Sequence, residues 1–133
     1  MAFTLPDEPS IAVLPFDNLS GDKEQDFLAD GLTETIIASL AQSPDLFVIS
    51  RNSVITYKRK TTKVQQVAQE LGVRYVLGGS IQRSDVRVRV SAQLINALNS
   101  RHLWADQYDR DVEDLFSVQD EISRKVFVDI TLH

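Results

Sequence analysis

The apolar positions of the chain change period several times, and each change predicts an element. Ile11-Ala12-Val13-Leu14-Pro15-Phe16 is a continuous apolar run, long enough for a buried strand. Pro15 cannot donate to a ladder, so it marks the end of that strand or an edge. Ahead of it, Thr4-Leu5-Pro6-Asp7-Glu8-Pro9 is polar in character and carries two prolines, which oppose helix and predict a linker over residues 1–9. Asn18-Leu19-Ser20-Gly21-Asp22 has the composition of a turn. From Asp26 to Gln42 the spacing becomes helical: Leu28, Leu32, Ile36 and Leu40 recur at i+4, and Ile37 widens the stripe. Gly31 costs about 1 kcal/mol relative to alanine inside a helix, which leads one to expect a close packing contact there. Pro44 ends that helix, and Leu46-Phe47-Val48-Ile49 reads as a second buried strand. A β-α-β start of this kind makes the two strands parallel.

Arg51 to Lys60 reads as a loop or a short helical turn. A second helix is predicted from about Thr62 to Leu71, with Val64, Val67, Ala68 and Leu71 on one face. Thr61 or Thr62 suits its N-cap, and Gly72 stands where a left-handed C-terminal residue belongs. Val73 to Gln82 is strand-like, with Gly78-Gly79 in its middle, and Ser84-Asp85 can reverse the chain. Val86, Val88, Val90, Ala92 and Leu94 alternate strictly with Arg87, Arg89, Ser91 and Gln93, which predicts a strand whose first set faces the core. Asn99-Ser100 turns again, His102 to Tyr108 forms the last strand, and Val118, Ile122 and Val126 line a third helix starting near Asp114. The expected fold is therefore α/β: a mixed β-sheet flanked by helices, in the order β-α-β-α-β-β-β-α, with a C-terminal antiparallel meander. Residues 10–133 make one domain.

Composition narrows the function classes. The chain has 133 residues, 43% hydrophobic and 25% charged, close to the globular average. The formal net charge of −5 argues against nucleic-acid binding, which draws on surplus Lys and Arg. No cysteine is present, so there is neither a disulfide framework nor a thiolate metal site. That fits a cytoplasmic setting, with the periplasmic face of a membrane-anchored parent as the alternative. No apolar run approaches the roughly 20 residues of a membrane span, and Met1 to Ser10 lacks the pattern of a signal peptide.

The residues that could carry chemistry are few. His102 is expected to be packed or hydrogen-bonded beside Trp104 rather than to serve as a ligand. No serine sits in a Gly-x-Ser-x-Gly elbow, and Gly78-Gly79-Ser80 lacks the Lys-Ser/Thr ending of a phosphate loop, so close backbone packing explains it better. Asp106, Asp109, Asp111, Glu113 and Asp114 crowd the junction of last strand and last helix. They read either as a cation or acid/base site, or as a solvated turn with negative charge at a helix N-terminus; Arg110 could neutralise part of it. The second reading is preferred. Lys58, Arg59, Lys60 and Lys63 form the one basic cluster, adjoining Tyr57; the five residues are the candidate contact for a phosphate or an acidic partner and otherwise a solvated loop. No catalytic, cofactor-binding or metal-binding residue is expected, and no cofactor.

Several blocks of sequence resemble a known family. Ser10-Ile11-Ala12-Val13-Leu14-Pro15-Phe16 followed by Asn18-Leu19-Ser20-Gly21-Asp22 is similar to the opening of the TolB N-terminal-like domain. The likeness continues through Ala29-Asp30-Gly31-Leu32-Thr33-Glu34, Leu46 to Ser53, Glu70 to Leu77, His102 to Ala105 and Leu115 to Ile122. Gly78, Asn96 and Asn99-Ser100 depart from the usual pattern of glutamate, aspartate and Thr-Gly. That domain occurs in bacterial class III adenylate/guanylate cyclase proteins and in some winged-helix regulators, usually ahead of tetratricopeptide repeats. The resemblance implies a non-catalytic regulatory or protein-interaction module, a fragment of a larger signalling protein, with a protein partner or neighbouring domains of the same chain as its contacts. An envelope docking module and a small-molecule or nucleotide sensor are the alternatives.

Overall fold

The structure, a computed structural model, describes residues 9–49, 64–97, 99 and 101–131. Six strands and three helices follow one another as β1 (Ser10–Val13), β2 (Asp17–Asn18), α1 (Asp26–Ala41), β3 (Phe47–Val48), α2 (Val64–Leu71), β4 (Tyr75–Ser84), β5 (Arg87–Asn96), β6 (Arg101–Asp111) and α3 (Leu115–Thr131). Single 3₁₀ turns at Lys23–Gln25 and Val112–Asp114 lead into α1 and α3. The strands form one mixed sheet in the order β3-β1-β4-β5-β6. β1 is parallel to both β3 and β4, as the β-α-β start predicts, and β4-β5-β6 is the expected antiparallel meander.

Packing follows from the two periodicities. Val88, Val90, Ala92 and Leu94 of β5 are buried, while Arg87 and Arg89 are exposed. Leu77 and Ile81 of β4 stand opposite Leu94 and Val90 and join them in the core. Leu32, Ile36 and Leu40 of α1 and Val118, Ile122, Val126 and Ile130 of α3 close over this face. Each large aliphatic side chain removed from water stabilises the fold by about 1.5–3 kcal/mol. Gly72 ends α2 with φ +70°, and its N–H donates to Ala68 C=O at 2.7 Å, the left-handed cap expected there.

Some expectations are corrected. Asn18 is not simply the start of a turn: with Asp17 it forms β2, which pairs in parallel with Ser80 and Ile81 on the edge of β4 that β1 leaves open. Asn18 still organises the turn. Its Nδ2–H donates to Asp22 C=O and to Asp26 Oδ1, both at 2.8 Å, while its Oδ1 accepts from Ser20 N–H at 2.9 Å. The second strand shrinks to Phe47–Val48, and Phe47 is exposed, because among the described residues β3 is a sheet edge with only β1 beside it. Val86 breaks the alternation; it is 56% exposed because it sits in the β4–β5 turn next to Asp85 at φ +58°. Gly31 makes no close contact, since a Cβ built there meets nothing within 4 Å. Close packing does hold for Gly79, whose Cβ would collide with the Ser91 carbonyl and come within 2.7 Å of the Phe16 ring, but not for Gly78, which faces open space. Thr61 and Thr62, the proposed caps of α2, lie outside the described residues.

Candidate functional site

The two faces of the meander differ sharply, and the difference creates the site. On β6, Trp104, Asp106, Tyr108 and Arg110 are half-buried and point toward α3, whereas Ala105, Gln107, Asp109 and Asp111 are exposed on the other face. The covered face is tied to α3 by charge. Lys125 of α3 is ion-paired with Asp106 and lies 4.8 Å from the centre of the Trp104 ring. Arg110 reaches Glu121 at 3.2 Å and lies 5.8 Å from the centre of the Tyr108 ring. The hydrogen bond from Lys125 to Asp106 raises the Lys125 pKa above its ordinary value. Burial, helped by the Asp106 charge, pushes the Tyr108 phenol up.

The opposite face carries no helix over β5 and β6 among the described residues. At one end, two cross-strand ion pairs stand in register: Arg87 with Asp111 at 2.9 Å and Arg89 with Asp109 at 2.8 Å. The hydrogen bond from Arg89 holds the Asp109 carboxyl below the usual carboxylate range. Both pairs are exposed, and such pairs contribute little to stability.

Beyond the ion pairs the face opens into a trough of about 650 Å³. Its floor is Gly78 and Ser80 of β4, Ser91 and Gln93 of β5, and Ala105 and Gln107 of β6. Pro15 and Asp17 on one side and Val67 of α2 on another raise its walls. The floor is small and uncharged because successive strand residues alternate faces: the large apolar ones are spent on the core. Gly78 deepens it, having no side chain to fill the space above it. Hydroxyls and carboxamides can both donate and accept, so the trough suits a neutral polar segment better than a phosphate. No histidine, lysine or arginine is among these lining residues, so its serines have no neighbouring base.

The residues singled out in the sequence fall in different places. Tyr57, Lys58, Arg59, Lys60 and Lys63 lie outside the described residues. The acidic group is not one turn: Asp106, Asp109 and Asp111 belong to β6 and are each ion-paired, while Glu113 and Asp114 lie in the 3₁₀ turn before α3. Arg110 pairs with Glu121 rather than with its acidic neighbours in sequence. Among the described residues no group of His, Asp and Glu is arranged to hold a metal ion. His102 is exposed instead of packed beside Trp104, because the ladder slips between Leu94 and Ile95 and sets His102 opposite Ile95. The trough was not legible as a site in the sequence; its only trace was a run of small and polar residues, Gly78 to Ser80, inside an apolar strand. No helix of the described residues is long and apolar enough to cross a membrane.

Comparison with known proteins places this architecture. TolB from Acinetobacter baumannii has the same fold, with a TM-score of 0.69 and 20% identity over 92% of this chain and 28% of that one. Lipoprotein GNA1162 from Neisseria meningitidis matches with a TM-score of 0.61 and 23% identity, covering 77% of this chain and 79% of its own. The TolB-like fold expected from the sequence is thus found. In sequence, a Rhizobium meliloti (strain 1021) protein named "Putative adenylate cyclase 3" is 56% identical over 122 residues. That stretch is 92% of this chain but 21% of the relative, so the chain spans about a fifth of its length, in a cyclase-associated context. The family described as HilA/YgeH-like transcriptional regulator, second domain, matches residues 7–125. With nearly its whole length covered by that match, the chain belongs to the HilA/YgeH-like transcriptional regulator second-domain family.

Proposed function

We propose that the chain is a non-catalytic regulatory and protein-interaction module of a bacterial signalling protein, a cyclase-type parent with tetratricopeptide repeats. The observation that carries this reading is the 56% identity with a protein named as an adenylate cyclase, of which the matched stretch is only 21%. A module of this size can alter a neighbour's activity by binding alone. The trough on the uncovered face of the meander is the contact surface the geometry supports, with a neutral polar floor between Pro15, Asp17 and Val67. On sequence grounds alone, Lys58, Arg59, Lys60 and Lys63, with the adjoining Tyr57, are a further candidate contact for an acidic partner. Class III cyclization requires two metal-binding aspartates and purine-binding groups; these are assigned to the parent's own catalytic domain.

Two measurements test the proposal. Cyclic-nucleotide production by the purified chain is expected to be nil with ATP or GTP and divalent metal. Deleting the domain from the parent is expected to change its basal activity or its response to signals. Turnover by the chain alone overturns the non-catalytic reading, and a parent indifferent to the deletion overturns the regulatory one. A second reading, docking in the bacterial envelope, draws support from the same fold in a protein named a lipoprotein. A membrane-spanning segment ahead of Ser10 in the full-length sequence would favour it.

A further inference from the structure

The free edge of β6 offers a surface separate from the trough. Among the described residues β6 pairs only with β5, so one side of an 11-residue strand is left with unpaired backbone N–H and C=O groups. Such an edge is a template for another strand, and proteins usually blunt it with bulges and scattered charge. Here the irregularity lies at the start, where the ladder slips between Leu94 and Ile95, and residues 104–111 run regularly beyond it.

We propose that β6 pairs with the β6 of a second copy of this chain, antiparallel about a twofold axis at Tyr108, joining the two sheets into one. Over the regular residues 104–111, the charge order of the strand selects both the partner and the register. An antiparallel pairing that keeps the helix-covered faces on the same side sets side chains of the same face opposite one another. Centred on Tyr108, it places Asp106 opposite the second copy's Arg110, twice by symmetry, and brings the two Tyr108 rings together. On the exposed face Gln107 meets Asp109 and Ala105 meets Asp111. No like charges stand directly opposite. Centring one residue earlier, on Gln107, sets Trp104 against Arg110 and forms no directly opposed ion pair. Centring on Asp106 opposes two aspartates, centring on Asp109 does the same, and centring on Arg110 opposes two arginines. In the Tyr108 register the intrachain ion pairs Lys125–Asp106 and Arg110–Glu121 become the two halves of an alternating row: Lys125, Asp106, then Arg110 and Glu121 of the second copy. The inference does not depend on the regulatory reading, since it rests on the strand alone.

Sedimentation equilibrium over a concentration series is expected to show a reversible dimer. Asp106→Arg and Arg110→Glu each oppose like charges in this register and should weaken association on the order of tenfold or more. Mixed in equal amounts, the two variants regain both ion pairs, so the mixture should dimerise where each alone does not. Far-ultraviolet dichroism and thermal melting establish that both variants are folded. Because the chain has no cysteine, Tyr108→Cys supplies a single reporter on the axis: mild oxidation should give a disulfide-linked dimer, while Gln107→Cys, opposite Asp109, should not. If the charge variants fail to fold, the cysteine pair alone decides. A wild-type chain that stays monomeric, a dimer unchanged by both charge variants, or equal cross-linking by the two cysteine variants overturns the proposal.

Discussion

The side-chain hydroxyl of Thr33, in the middle of α1, accepts the backbone N–H of Phe16 at 2.9 Å and donates to the Ala29 carbonyl at 2.8 Å. This one buried atom fixes the chain leaving β1 to the helix that covers the sheet. Without it the Phe16 N–H would be stranded in the core. Thr33→Val keeps the shape and removes the acceptor, so it should destabilise the domain by about 1–3 kcal/mol. Thr33→Ser, which keeps the hydroxyl, should cost clearly less. Urea midpoints of the two variants check this, and a larger loss in Thr33→Ser than in Thr33→Val would show that the methyl, not the hydroxyl, matters.

Three glycines should respond to alanine in three ways. Gly79→Ala drives a Cβ into the Ser91 carbonyl and the Phe16 ring, overpacking that costs about 1–3 kcal/mol. Gly72→Ala has room but is held at φ +70°, and should lose about 1 kcal/mol through backbone strain. Gly78→Ala has both room and an ordinary strand conformation, and should be neutral or gain up to about 1 kcal/mol, because glycine is a poor strand residue. Thermal melting of the three variants side by side reads the order, and a Gly78→Ala loss as large as that of Gly79→Ala would contradict the packing described.

Alkaline pH should weaken the contact between β6 and α3. Both Lys125 and Tyr108 have folded pKa values raised above their ordinary ones, Lys125 by its hydrogen bond to Asp106 and Tyr108 by burial. A raised value means that the folded state holds the proton more tightly. The stability this brings is fully present below about pH 10 and is lost as pH rises through the folded values. Asp109 runs in the opposite sense: its value is lowered by Arg89, so its contribution is lost as pH falls through the folded value. The urea midpoint should therefore hold level near neutrality and decline above about pH 10, less steeply in Lys125→Met. A wild-type midpoint that does not fall there would contradict the assignment.

How much was legible in the sequence depends on the range of the interaction behind each feature. Gly72 could be placed at the end of α2 because the demand for a left-handed residue is local to a helix terminus. The alternation of Val88, Val90, Ala92 and Leu94 told their face because a one-residue slip would expose the whole row. At Val86 the same rule failed, since the residue lies in the turn between β4 and β5, before the strand alternation begins. The basic cluster from Tyr57 to Lys63 was visible in composition alone and lies outside the described residues.

By itself, then, the sequence determined the order of the strands and helices apart from β2, the parallel start, the antiparallel meander and the buried rows, all set by period and chain connectivity. Only the tertiary structure decided which charges meet. Asp106, Asp109 and Asp111 are near neighbours in sequence, yet they bind Lys125, Arg89 and Arg87, on a helix and a strand that no local pattern relates to them. It also decided that one face of the meander is covered by α1 and α3 while the other opens as a trough. A polar strand face reads the same whether or not a helix lies over it. The edge of β6 belongs to the same class: that no strand of the described residues beyond β5 pairs with it is a property of strand order, and strand order is set by long-range packing.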